Sequence, residues 1–181
     1  MLEDRYLVWQ VQRGSERALR RIYNRYETHL LTLATSLLGR TDQAEDVLQD
    51  VFTRFIESID TFTLTGSLKG YLATCVVNRA RDHLRKKKRR GEQPLGKADS
   101  VQARQTGPLE AAIAREQRQQ LFAALARLPQ EQRETILLHL QGGLRFREIA
   151  RLHGISAKTA WSRYRYGLNG LKSMLNGQVE P

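Results

Sequence analysis

"FREIARLHGISAKTAWSRYRYGLNGLK", residues 146–172, holds two helical periods separated by one sharp break. Phe146, Ile149, Ala150 and Leu152 fall on one face of a short helix. Gly154 follows Ala150 by four residues and Ala160 follows it by ten. That spacing suits a helix-turn-helix, with a small residue where two helices touch, a glycine in the turn and an apolar anchor in the second helix. Ser156 is a good N-cap for that second helix. At ~100° per residue, Ala160, Tyr164, Gly167, Leu168, Leu171 and Leu175 gather on one side. Lys158, Thr159, Ser162, Arg165, Tyr166 and Asn169 lie opposite, with Arg163 on the flank. Donor-rich side chains near the start of a helix are what a major groove and its phosphates require. A solvated helical hairpin would also be polar, but spacing, cap and cationic face together favour DNA. Trp161 lies beside the apolar stripe, which predicts partial burial rather than base contact.

The composition agrees with a helical chain. Its 181 residues suffice for one medium domain or two small ones. Only 13 Gly and 4 Pro interrupt a sequence rich in Leu, Ala, Arg, Gln and Glu, so strand punctuation is scarce. The formal charge of +11 points to a polyanionic partner, nucleic acid before anionic membrane. Cys75 is alone, which excludes a disulfide framework and reads as a small buried hydrophobe. No stretch approaches the ~20 apolar residues of a membrane span, and the N-terminus does not read as a signal peptide. The expectation is a cytoplasmic protein without membrane insertion.

Upstream, Ser15 caps a helix whose apolar positions run from Ala18 to Leu37, until Gly39 stops it. Thr41 or Asp42 is expected to cap the next, with Ala44, Val47, Leu48, Val51, Phe52, Phe55, Ile56 and Ile59 inward. "TFTLTGS", residues 61–67, reads as a loop. Ser67 then caps a third helix with Leu68, Leu72, Cys75 and Val76 inward, which runs straight into "NRARDHLRKKKRRG", residues 78–91. Eight cations there face the single acid Asp82, a crowding that costs stability unless an anion binds. Residues 91–109 read as a flexible linker. Beyond it, Ile113, Leu121, Ala124, Leu125 and Leu128 form a helix ended by Pro129. Pro129 is expected in the first turn of the next, which carries Ile136, Leu137 and Leu140 and stops at Gly142-Gly143. The fold class is therefore all-α: two small helical domains joined by a flexible linker, the C-terminal one with a helix-turn-helix. The expected boundaries are 1–90, 91–109 and 110–181.

Asp46, Gln49 and Asp50 make one acidic helical face. With no His, Cys or further acid placed to complete a site, it suits protein docking rather than acid–base catalysis. His29, His83, His139 and His153 are scattered singly, without ligand spacing. No metal, cofactor or catalytic site is expected.

"DQAEDVLQDVFTRF" (42–55), a loop, "LKGYLATCVVNRARDHLRKKKRR" (68–90), a tether and "LPQEQRETILLHLQGGLRFREIARLHGISAKTAWSRYRYGLNGLK" (128–172) together resemble a bacterial sigma factor of the extracytoplasmic-function (ECF) type. The likeness covers about 15–175, and the order of four motifs makes it specific. It implies a non-enzymatic initiation factor that binds core RNA polymerase and promoter DNA. Asp46, Gln49 and Asp50 match the segment that grips the clamp helices of the polymerase. The loop at Thr61–Ser67 matches the one that captures a flipped base of the minus-ten element. Asn78, Arg79, Asp82 and Arg85 match the signature on the helix facing that element, and Lys86 continues it. Lys158, Thr159, Ser162 and Arg163 fall in the usual contact stretch for the minus-thirty-five element, with Arg165 on the same face. Tyr71 stands where the family often has Trp, and Lys158, Ala160 and Trp161 replace the common Gly, Val and Lys or Arg, which bears on sequence preference. An anti-sigma partner is common in the group, though no residue here marks one. The rival reading is a stand-alone helix-turn-helix regulator, which has no need of the Asp46–Asp50 face.

Overall fold

A computed structural model describes residues 2–89 and 108–177. Among them the regular structure is all helical: α1 (Leu2–Gln12), α2 (Glu16–Leu38), α3 (Thr41–Glu57), a 3-10 turn (Ile59–Thr61), α4 (Leu68–Arg89), α5 (Pro108–Arg127), α6 (Gln130–Leu140), α7 (Phe146–His153) and α8 (Ala157–Asn176). Helices α1–α4 form the first domain and α5–α8 the second. The expected linker at 91–109 lies outside the described residues except at 108–109, where α5 has begun.

Caps set most boundaries. The Ser15 hydroxyl accepts from Ala18 N at 3.3 Å, and α2 ends at Gly39, whose left-handed φ of 74° lets its N–H reach Thr35 O at 2.8 Å. Ser67 starts α4 by accepting from Gly70 N at 3.3 Å. At α3 the expectation is corrected. Arg40, not Thr41 or Asp42, holds the N-cap, and Asp42 sits in the first turn paired with the Arg40 guanidinium at 2.6 Å. That pairing holds the Asp42 carboxyl near 2, well below its ordinary value.

Helix α1 was not anticipated. Leu7, Val8 and Val11 bury its inner face, and buried Asp4 accepts from the Tyr26 hydroxyl at 2.7 Å and from Arg25 at 3.2 Å, fastening α1 to α2. Three further positions differ from the sequence pattern. Ile113 and Leu121 in α5 are exposed and Phe122 is buried instead. Leu140 in α6 is also exposed, because α6 is covered over Glu134–Leu138 rather than along one stripe. Pro129 is the N-cap of α6, one position before its first turn.

Helix α6 packs against α7 and α8 of its own domain and against α2 and α4 of the other, so buried residues of both domains join in one core. Close approach of backbone makes this possible at Gly142, where an added Cβ would stand 2.6 Å from Leu138 O, 2.8 Å from Leu144 Cδ1 and 3.1 Å from Ala73 Cβ of α4. Two of those three neighbours cannot swing aside cheaply. Gly142→Ala is expected to destabilise the chain by about 1–3 kcal/mol, as overpacking does, read as a lower denaturant midpoint at unchanged slope.

Candidate nucleic-acid interface

Helix α4 carries the first half of the site. Leu68, Leu72, Ala73, Val76, Val77 and Ala80 are all buried, and this apolar half fixes the direction in which the basic half leaves the domain. The helix does not fray at the charge run but continues to Arg89. Asn78, Asp82, Arg85 and Lys86 are exposed. Asp82 lies between Arg79 at 4.0 Å and Arg85 at 3.9 Å, which tempers the like-charge crowding.

The structure brings two expected roles together at one ion pair. Arg79 Nε reaches Asp50 Oδ2 at 2.7 Å, while the other Asp50 oxygen faces Arg54 at 3.2 Å. Asp50 is thus half-committed to its own domain, whereas Asp46 and Gln49 point into solvent.

The loop before α4 is pinned from both sides. The Gln12 side-chain amide donates to Ile59 O at 3.0 Å and Phe62 O at 2.8 Å. Phe62 packs on Phe55 and Tyr71 with ring centroids 5.3 and 4.7 Å away. Between the loop and α4 lies a cleft of about 270 Å³, lined by Thr63, Thr65, Tyr71 and Thr74 and closed on the far side by Leu144 and Arg151 of the second domain. Cys75, behind Tyr71, is half-buried, and burial pushes its thiol above the ordinary value. A thiol so placed is a packing group rather than a nucleophile.

In the second domain, Gly154 turns between α7 and α8 at φ 64°, and the Ser156 hydroxyl caps α8 by accepting from Thr159 N at 3.0 Å. Ala160 and Ile149 seal the helix pair. Lys158, Thr159, Arg165, Tyr166 and Asn169 are exposed, while Ser162 and Arg163 are half-buried. Arg163 is held by Glu131 of α6 at 3.0 Å. Trp161 corrects the sequence reading. It is 46% exposed and stands in the outward face, with the Arg165 guanidinium 4.9 Å from its ring centre and 5.1 Å from that of Tyr166.

One constellation was missed from sequence. Glu134 of α6 is 2% exposed and takes Arg81 of α4 through both carboxylate oxygens, while Arg81 also contacts His153 Nε2 at 2.9 Å. The available signal was an acid four residues before Leu138, on the apolar side of its helix. Among the described residues no cluster of His, Cys, Asp and Glu could hold a metal ion, and no helix is long and apolar enough to cross a membrane.

Residues 22–90 match the family Sigma-70 region 2, and residues 118–168 match Sigma-70, region 4. The ECF RNA polymerase sigma factor EcfG of Rhodopseudomonas palustris is 32% identical over 149 residues, covering 81% of this chain and 78% of that protein. The chain belongs to the ECF RNA polymerase sigma factor family. It is an alternative sigma factor that directs transcription initiation. The sigma-E factor of Escherichia coli is 27% identical over 90% of this chain and 88% of its own length. Among solved structures, the sigma factor RpoE of Bartonella quintana, in complex with the anti-sigma factor NepR, superposes with a TM-score of 0.69 at 25% identity, over 90% of this chain and 98% of that one. The region 2 match contains both the acidic face of α3 and the basic strip of α4, which leaves a stand-alone helix-turn-helix regulator without support. Helix α1 lies outside both matched regions of this sigma factor.

His153 offers a check on the packing between its domains. Burial, with the Arg81 guanidinium beside it and Arg163 further off, holds the imidazole below its ordinary value of 6.5, while Glu134 and Glu131 pull the other way. The folded chain therefore keeps His153 neutral where the unfolded chain already takes a proton. Its contribution to stability is complete above the ordinary value and is lost as pH falls below it, through the lowered folded value. The His153 ring signals are expected to titrate with a midpoint below 6.5 in NMR, and His153→Gln should flatten the fall of unfolding midpoint on the acid side.

Proposed function

We propose that this sigma factor docks on core RNA polymerase through the exposed Asp46–Gln49 edge of α3, with Asp50 bracing the edge against α4. Its domains span 1–90 and 110–181, with 91–109 as the tether. In this reading Asn78, Arg79, Asp82, Arg85 and Lys86 face the minus-ten element, and Lys158, Thr159, Ser162, Arg163 and Arg165 face the minus-thirty-five element. Trapping an unstacked base in the cleft beside Thr63, Thr65 and Tyr71 offsets the few kcal/mol that flipping costs. The tether raises the effective concentration of each domain at its element once the other is bound.

What carries the reading is α4. One unbroken helix joins fully buried Leu68, Leu72 and Val76 to the cations at its far end, so the charges leave the domain at a set angle. Phosphates that meet them release counterions, and that gain offsets the repulsion within the run. The factor performs no chemistry of its own and needs no cofactor or metal. It works in the cytoplasm, where the polymerase and promoter are. An anti-sigma factor is a fitting partner, since RpoE of Bartonella quintana was solved bound to one.

Asp46→Ala with Gln49→Ala is expected to abolish co-elution with core polymerase at unchanged helical content, both side chains being exposed; normal co-elution would remove these residues from the docking edge. Arg85→Ala with Lys86→Ala should flatten the log–log salt dependence of promoter binding by up to about 2, at about 0.9 per phosphate contact. The preferred sequence should not change, and an unaltered slope would show that this strip meets no phosphate.

A further inference from the structure

The seam between the two domains is polar where it is most deeply buried. The Glu134 carboxylate takes the Arg81 fork on both oxygens, with Arg81 Nε at 2.8 Å, and accepts from the Gln130 amide at 2.8 Å. Three residues earlier on the same helix, Glu131 takes Arg163 of α8 at 3.0 Å. Two acids of α6 thus hold a cation from each domain, and Arg85 lines the same cleft beside them. A guanidinium gripping both oxygens of a carboxylate uses the geometry with which it grips a phosphate.

We propose that Glu131 and Glu134 are an internal rival of DNA: in the free chain they occupy Arg163 and Arg81, draw the two domains together, and keep the promoter-facing surfaces closed until polymerase and DNA compete them away. The part of this concerning Arg163 rests on its proposed role in the minus-thirty-five reader. A second, independent observation agrees. The same closure places Leu144 and Arg151 of the second domain across the cleft beside the Thr-rich loop. Closing the seam therefore covers a surface of the first domain as it neutralises cations of both.

The chemistry of the seam suits a device that must open. A buried ion pair gains little net energy, because desolvation of both ions offsets most of their attraction, and each recovers its hydration on separation. A seam sealed by leucines would stay shut. Here a half-dehydrated ion pair sits beside the close backbone approach at Gly142, where shape must match but little apolar area is at stake. Glu131 is 66% exposed at its side chain, so DNA phosphates can displace it from Arg163 first. The Arg81–Glu134 pair then loses a neighbouring tie and yields.

The test uses the full-length chain carrying Glu131→Gln and Glu134→Gln, near-isosteric changes that remove only charge. Small-angle scattering reads the radius of gyration of the free chain, and a minus-thirty-five duplex without polymerase reads access to the reader helix. A larger radius and at least tenfold tighter duplex binding are expected, with promoter-specific transcription by core polymerase unchanged. Radius and duplex affinity within twofold of the parent, in a variant that still supports transcription, overturn the proposal and leave the sigma assignment standing. Should neither parent nor variant support transcription, that assignment fails, while the scattering result still decides the seam. Two controls guard against misfolding. Glu131→Gln alone, at an exposed site, should tighten duplex binding about threefold, and no change would overturn the Arg163 half. Arg81→Glu with Glu134→Arg reverses the pair and should return the radius to the parent value; failure to reclose would overturn the Arg81 half.

Discussion

Helix α4 is the constraint on which the rest of the molecule depends. Its first half is a fully buried apolar arc, and its second half is a cationic strip that cannot turn independently of that arc. At ~100° per residue, Arg79 and Arg81 fall on opposite flanks of the strip that holds Asn78, Asp82 and Arg85. Arg79 is tied to Asp50 of α3 and Arg81 to Glu134 of α6. One rigid rod thereby sets where the acidic edge of α3 sits, how the second domain approaches, and which cations remain exposed.

Charge is handled in the same way throughout. The chain carries an excess of cations, yet the acids near its exposed surfaces are placed beside particular arginines: Asp50 at Arg79, Asp82 between Arg79 and Arg85, Glu131 at Arg163, Glu134 at Arg81. Exposed pairs of this kind contribute at most about 1 kcal/mol each. Their value lies in orientation: each holds a flexible side chain in one rotamer while leaving it within reach of a stronger anion. Trp161 and Tyr166 serve Arg165 similarly, with ring faces instead of carboxylates.

Several sequence readings met their limits for identifiable reasons. Helical periodicity places residues on a face but does not say what covers that face. Ile113 and Leu121 share the apolar rhythm of α5, yet only Phe122, Ala124, Leu125 and Leu128 meet a partner. Trp161 lies on the edge of the α8 stripe, and the neighbouring helix stops short of it. Leu140 falls outside the span of α6 that α2 and α4 cover. Helix α1 went unread because its three apolar residues crowd one end of a short segment, and its anchoring through Asp4 and Tyr26 is a contact across helices.

Local rules were legible because their physics is local. Ser15, Ser67 and Ser156 as caps, Gly39 and Gly154 as left-handed stops, the helix-turn-helix spacing and the acidic edge of α3 each depend on residues within a few positions of one another, where backbone geometry admits few answers. The sequence alone thus determined an all-helical chain of two bodies with a docking edge and two cationic faces. Tertiary structure decided which cations are already engaged. Arg81 and Glu134 are 53 residues apart, and nothing near either in the chain predicts that an acid on an apolar stripe will meet a guanidinium from another domain. Such a pairing exists only once two helices have packed, since desolvation and hydrogen-bond geometry are properties of the assembled seam.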